Sequence, residues 1–224
     1  MLAPMLPLVL GRIRVLLVED ASLTRDSLAA LLGTEPGVDV MGVVANSAHA
    51  VGLLTAAQPD VAIVDFASPG DAATVAALQQ RWPSSNVLML TSAEDDRLLS
   101  AALRAGAGGY LLRSDSRAEL MTALHRVSQG HPYVSRAIRD RVAGFEVAGR
   151  TPPAAPGGLS LLTEREREIM QCVASGLRTR EIAQRLSLSH KTVEKHRSNL
   201  MRKLGLRSAA AVAAYAIAQG YRRA

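Results

Sequence analysis

The chain has 224 residues, 48% hydrophobic and 21% charged, a balance that suits packed cores and excludes both a disordered chain and a single small module. Its formal charge of +6 is unevenly placed: residues 1–130 hold 9 basic and 13 acidic side chains, residues 131–158 hold 4 and 2, and residues 159–224 hold 13 and 5. A basic end behind an acidic front points to a polyanionic partner for the end alone.

The first stretch, "MLAPMLPLVLGR", is apolar but short, carries two prolines and lacks a charged leader region, so residues 1–11 read as a loose extension and not as a signal peptide. No apolar run approaches the ~20 residues of a membrane span, and no membrane partner is expected. The single cysteine, Cys172, has no partner for an internal disulfide and fits a reducing cytosol, so a cytoplasmic location is expected.

From residue 13 the pattern alternates. Strand-like apolar runs appear at "IRVLLV", "VDVMGVV", "VAIVDF", "VLMLT" and "GYLL", and helical segments lie near 22–33, 47–57, 71–81, 95–104 and 116–128. Continuous apolar strands between helices predict a buried parallel sheet covered on both faces, a five-stranded, doubly wound α/β domain of flavodoxin-like size. In such sheets chemistry gathers at the carboxyl ends of the strands. Glu19 and Asp20 follow the first strand, Asp65 closes the third, Thr91 and Ser92 close the fourth, and Arg113 follows the fifth, just after Tyr110. Three carboxylates converging on one edge repel one another, and a bound divalent cation with hard oxygen ligands, Mg²⁺, resolves the repulsion. A carboxylate held beside such a cation can attack phosphorus and form an acyl phosphate, with a hydroxyl and a cationic side chain to hold the phosphoryl oxygens. Taken singly, Asp20 also suits a helix cap and Asp65 a loop acid.

"LLVED", "VAIVDF-ASPG", "LMLTS" and "GYLLR" resemble a response-regulator receiver domain over residues 12–130. The resemblance implies that Asp65 is the phosphoacceptor and that Glu19, Asp20, Asp65 and the Ala67 carbonyl bind Mg²⁺. It also implies that Thr91 and Tyr110 form a switch pair, that Ser92 and Arg113 border the phosphoryl group, and that a histidine kinase is the partner. Two positions depart from the pattern: Arg113 stands where the family has lysine, and Ser68 where it has methionine. Arginine keeps the charge but is a planar fork in place of a compact ammonium. An alternative is therefore a regulator whose receiver acts without phosphorylation, as a dimerisation or ligand-sensing module. An enzyme is not expected: the D-x-D of aspartyl phosphatases is absent after Asp65, and "GAGG" at 106–109 precedes a strand instead of following one.

Residues 131–158 break the periodicity. A short helix is predicted over about 134–143, followed by the Pro/Gly-rich linker "GRTPPAAPGG". In the last region, 159–224, Thr163 and Glu166 form a T-x-x-E capping box that opens a helix with Ile169, Cys172 and Val173 inward and Gly176 at its end. Thr179 is placed to cap the short helix of "TREIAQRLS", Leu188 sits in a tight connection, and Ser189 caps a longer helix that ends at Gly205. That helix carries the apolar stripe Val193, Leu200 and Leu204, and a far side of Lys191, Glu194, Lys195, Ser198 and Arg202. Helix, short helix, tight turn and basic helix together are a helix-turn-helix grammar. The closing "SAAAVAAYAIAQG" is a strong helix former.

"LTERERE", "TREIAQRLSLSHKTVEKHRSNLMRKLG" and their spacing resemble the LuxR-type helix-turn-helix. With the front half, the chain resembles NarL/FixJ-type two-component response regulators: an α/β receiver followed by an all-α, four-helix DNA-binding domain. The resemblance implies that the helix over 190–203 enters the major groove of double-stranded DNA. Glu194, Lys195 and Ser198 would then read bases, and Thr179, Lys191, Thr192 and Arg197 would meet phosphates. It further implies that the last helix makes a homodimer contact, at least on DNA.

Overall fold

The computed structural model describes residues 11–46, 49, 58–92, 96–147 and 158–221. The N-terminal extension, the helix near 47–57 and the linker over 149–158 lie essentially outside these residues. Strands β1 (Ile13–Val18), β2 (Val38–Val44), β3 (Val61–Phe66), β4 (Asn86–Thr91) and β5 (Gly109–Leu112) fall on the predicted apolar runs. They pair in parallel in the order β2-β1-β3-β4-β5, and a two-residue strand, β6 (Tyr133–Val134), adds to the free edge of β5. The sheet thus has six strands where the periodicity predicts five. Tyr133 and Val134 are too few to display any alternation.

Successive side chains of a strand point to opposite faces, and the sheet divides its residues accordingly. Val15, Leu17, Ile63, Leu88, Leu90 and Leu111 face one layer, where Leu32 of α1 (Ser22–Gly33) and Leu120, Leu124 and Val127 of α4 (Arg117–Ser128) complete the core. Leu16, Val18, Ala62, Val64, Met89 and Tyr110 face the other layer, against Val75 and Leu78 of α2 (Ala72–Arg81) and Leu99 and Leu103 of α3 (Asp96–Ala105).

That second core does not end with the sheet half. It continues through Val134, then Ile138 and Val142 of α5 (Arg136–Val147), into the four helices α6 (Glu164–Ala174), α7 (Thr179–Arg185), α8 (His190–Leu204) and α9 (Ala209–Ala218). The joint is α9, which lies against α6 on one side and against α5, α3 and β6 on the other. Its sequence, AAAVAAYAIA, is apolar all round, and a helix of that kind must be covered on all sides. Val212 is 1% exposed and Tyr215 4%. Alanines on every side let neighbouring backbones come close.

The helical half is defined by its caps. Thr163 and Glu166 form the predicted capping box, with Thr163 N donating to Glu166 Oε2 at 2.8 Å and Glu166 N donating to Thr163 Oγ1 at 3.3 Å. Ser189 Oγ accepts from Thr192 N at 3.0 Å, and Gly205 closes α8 with φ +64°, a left-handed conformation that glycine adopts without strain. One cap differs from expectation. The N-cap of α7 is Arg178, whose N–H donates to Glu181 Oε2 at 2.9 Å, and Thr179 is the first helical residue. The acid three residues on accepts from the cap's own N–H, the half of a capping box that does not depend on which side chain the cap residue carries. Among the described residues, no helix is long and apolar enough to cross a membrane.

Candidate functional site

Two chemically distinct surfaces carry the residues singled out from the sequence. The first is an acidic pocket at the carboxyl edge of the sheet. Parallel register sets Asp65 opposite Leu90, Phe66 opposite Thr91, and Thr91 opposite Leu112, and Arg113 N donates to Thr91 O at 2.9 Å. Asp65, Thr91 and Arg113 are thereby brought to one edge, where Glu19 and Asp20 arrive from β1. One ligand oxygen from each of Glu19, Asp20 and Asp65 lies within 4.8 Å of the others.

These groups are held unevenly. Glu19 is 1% exposed and Asp65 9%, and burial pushes both carboxyls up from their ordinary range; for Asp65 the neighbouring Arg113 offsets part of that rise. Glu19 Oε1 accepts from Ala21 N at 3.0 Å, whereas Glu19 Oε2 and the fully buried Thr91 Oγ1 have no hydrogen-bond partner. Buried polar atoms are ordinarily paired, so two orphans at one edge mark places prepared for a ligand. The donor set, three carboxylates with one oxygen orphaned, fits a hard divalent cation.

Arg113 fills part of this space. Its Nε donates to Asp65 Oδ1 at 2.8 Å, its Nη2 pairs with Asp65 Oδ2, and the same nitrogen stands 4.0 Å from Glu19 Oε2. The planar fork grips both carboxylate oxygens at once, which the single ammonium of a lysine does not do. Ser92 is exposed beside the pocket. The backbone N–H groups of Ala67 and Ser68 both donate to Asp71 Oδ2, at 2.9 and 2.7 Å, so Asp71 shapes the loop after Asp65. Arg25 Nη1 donates to the carbonyls of Glu19 and Asp20, each at 3.0 Å, and pins the loop after β1. Sequence reasoning missed both clamps. The signal for Asp71 was an acid placed to bond the backbone just before a helix.

Tyr110 does not meet Thr91 through a hydrogen bond. Its side chain is fully buried on the far layer, where the hydroxyl donates to Leu103 O at 3.1 Å and lies 3.4 Å from Ser208 Oγ. Ser208 is the N-cap of α9, accepting from Ala211 N at 3.1 Å. A residue of β5 thus touches the N-cap of the last helix across the joint between the halves. Arg126 Nη2 and His131 Nδ1 meet the carbonyl of Gly176 nearby, at 2.9 and 3.2 Å. No local sequence pattern announces such contacts.

The second surface is α8. Val193, Leu200 and Leu204 are fully buried, as the stripe predicts, and Lys191, Glu194, Lys195 and Ser198 are exposed on the opposite side. Thr192 is half-buried, its hydroxyl 2.7 Å from Ser189 Oγ. Arg197 is half-buried too, and its Nη1 donates to the hydroxyl of Thr179, joining two of the expected phosphate contacts. Burial lowers the pKa of Arg197 from its ordinary value, yet a guanidinium stays charged at neutral pH. The foot of the helix is fixed by Lys203, whose Nζ donates to Glu166 Oε2 at 2.6 Å. Burial alone would raise the Glu166 carboxyl, but the Lys203 ammonium and the Thr163 donors bring it below the ordinary range.

Comparison with known proteins places both surfaces in context. Residues 15–125 match the family described as "Response regulator receiver domain", and residues 160–216 match "Bacterial regulatory proteins, luxR family". The "DNA-binding transcriptional activator DevR/DosR" of Mycobacterium tuberculosis is 34% identical over 208 residues, covering 91% of this chain and 94% of that protein. The "Oxygen regulatory protein NreC" of Staphylococcus aureus is 28% identical over 209 residues, covering 91% and 96%. Among solved structures, RcsB of Salmonella typhimurium superposes with a TM-score of 0.55 at 22% identity, covering 92% of this chain and 98% of that one. The response regulator ChrA of a heme-sensing two-component system superposes with a TM-score of 0.51 at 26% identity, covering 95% and 100%.

Proposed function

Because the chain belongs to the response regulators of two-component systems that join a receiver domain to a LuxR-type DNA-binding domain, we propose that phosphorylation of Asp65 by a histidine kinase governs how this DNA-binding protein pairs on DNA. Glu19, Asp20 and Asp65, with the Ala67 carbonyl, would hold Mg²⁺. When bound, the cation neutralises the carboxylates and draws phosphoryl oxygens toward Asp65. An Asp65 oxygen attacks phosphorus, the bond from phosphorus to the kinase imidazole breaks, and the leaving imidazole takes up a proton. The Thr91 hydroxyl, unpartnered in the resting pocket, is placed to donate to a phosphoryl oxygen. Arg113 must first leave Asp65 and then stands beside the new charge. Working on DNA, with a single reduced cysteine, the protein acts in the cytoplasm; it is a binding protein and not an enzyme.

Pairing is the step under control. Lys191, Glu194, Lys195 and Ser198 face solvent, while α9, the helix the family resemblance assigns to dimer contact, is buried between α6 and the α3–α5 side of the sheet half. This one contrast carries the reading: the DNA-reading face is open and the pairing face is closed. Thr179, Lys191, Thr192 and Arg197 are assigned to phosphates, which give affinity, and Glu194, Lys195 and Ser198 to base edges, which give sequence preference.

Incubation with a small phosphoryl donor and Mg²⁺, followed by intact mass measurement, tests the chemistry. One added phosphate on the native chain and none on Asp65→Asn is expected; no uptake by the native chain contradicts it. The Arg113–Asp65 pair favours a second reading, a regulator that works without phosphorylation. On the first reading Arg113→Lys speeds phosphate uptake, because a lysine grips Asp65 through one contact. On the second, uptake stays absent in both proteins while DNA binding persists.

A further inference from the structure

Beside the joint between the halves lies a cleft of about 450 Å³, bordered by Gln79, Asn86 and His131 of the sheet half and by Arg197, Arg207 and Ser208 of the helical half. Small-molecule sites commonly fall in this size range, ~300–1,000 Å³, and favour domain interfaces. Its electrostatics are one-sided, since it is lined by two arginines and a histidine and by no aspartate or glutamate. The acid nearest its histidine is Glu181, 3.6 Å from His131 Nδ1 and outside the lining.

The two arginines here form no close pair with a carboxylate among the described residues. Arg14, Arg113, Arg117, Arg136, Arg165 and Arg178 each pair with a carboxylate. Among the described residues, Arg197 makes a side-chain hydrogen bond only to the neutral Thr179 hydroxyl and feels Glu194 at longer range without a close ion pair, and Arg207 makes neither a hydrogen bond nor an ion pair. The Asn86 amide is half-buried and also lacks a side-chain hydrogen bond. Gly106 fixes the wall between them. Its φ is +94°, and a Cβ there would stand 3.0 Å from Arg207 Cβ, so the absence of a side chain lets the two halves close at this distance.

We propose that this cleft binds a small anion bearing a phosphate or pyrophosphate group, held by Arg197 and Arg207 from one half and Asn86 from the other. Guanidinium forks and an amide offer many directed N–H donors, a set that matches a multi-oxygen phosphate better than a single-point anion. Because the donors come from both halves, the anion binds the docked arrangement alone and stabilises it by mass action. It also occupies Arg197, which the proposed function assigns to a DNA phosphate. Only this consequence rests on that assignment; binding itself does not.

The test is calorimetric titration of the full chain with pyrophosphate, without Mg²⁺ and at constant ionic strength. Saturable binding of one anion per chain is expected, weakened at least tenfold by Arg207→Ala and by Asn86→Asp and unchanged by Arg202→Ala, which removes an exposed arginine outside the cleft. Circular dichroism verifies that each variant is folded, and Arg207 is exposed, so its removal spares the core. Heat that fails to saturate, or equal weakening in all three variants, overturns the site. Loss in Arg207→Ala with full retention in Asn86→Asp places the anion on the helical half alone and overturns the bridging arrangement.

Discussion

The acidic pocket and the basic helix treat charge in opposite ways. In the pocket the two acids nearest the sheet are buried and the charges answer one another: Arg113, itself exposed like Asp20, holds Asp65, and Glu19 stands behind them at 1% exposure with one oxygen unpartnered. On α8, Lys191, Glu194, Lys195 and Arg202 are exposed, while Arg197 is held by the Thr179 hydroxyl and Lys203 by Glu166 at the foot of the helix. A buried charged cluster is poised to change state, because adding or removing one charge in a desolvated place shifts the energies of its neighbours. An exposed row of polar groups is poised to bind, since nothing must be displaced but water. The joint between the two surfaces is therefore where a change in the first can alter the second, and Tyr110 touching Ser208 lies on that joint.

The contrast breaks first at the foot of α8. Glu166→Ala removes a buried capping carboxylate and strands Lys203, and is expected to cost about 3 kcal/mol of unfolding stability in urea titration. The folded Glu166 carboxyl lies below its ordinary value of 4.5. Its contribution is thus present above that pH and lost as the pH falls through the lower folded value. Glu166→Gln should accordingly flatten the acid limb of stability against pH.

A smaller effect belongs to the exposed face. Lys195→Ala is expected to weaken binding to a preferred duplex by about 2 kcal/mol and to relax its sequence preference. Lys191→Ala should lower affinity for all duplexes and reduce the slope of log affinity against log salt by about 0.9. Fluorescence anisotropy over a salt series measures both. If the two lysines behave alike, the division into reading and positioning contacts fails.

The smallest effect lies at the joint. Tyr110→Phe removes the bond to Leu103 O and the contact with Ser208 and should cost about 1 kcal/mol. If α9 is freed with it, the variant also self-associates at lower concentration in light scattering. A stability loss without any change in self-association would make Tyr110 a packing residue only.

Much of this was legible in the sequence because the deciding signals are local. β1, β3 and β4 are continuous apolar runs, and Thr163, Ser189 and Gly205 announce helix ends with one side chain or one φ each. The acids at strand ends follow from topology alone: once the strands are parallel, Glu19 and Asp65 must share an edge. The Arg178 cap was missed because Glu181 acts on a backbone N–H and leaves the cap residue's identity free. The grip of Arg113 on both oxygens of Asp65 depends on angles that residue order does not fix. The sequence marked α9 as a strong helix former, and its burial against α5, α3 and β6 was not read because it is a long-range contact between halves.

The most direct test of the open reading face and closed pairing face uses a duplex long enough for one copy of the protein and too short for two. If phosphorylation frees α9 without uncovering α8, affinity for this short duplex stays the same with and without phosphate on Asp65, while affinity for a duplex that accommodates two copies rises. A several-fold rise on the short duplex itself would show that the sheet half covers the DNA-reading face, and would contradict the account.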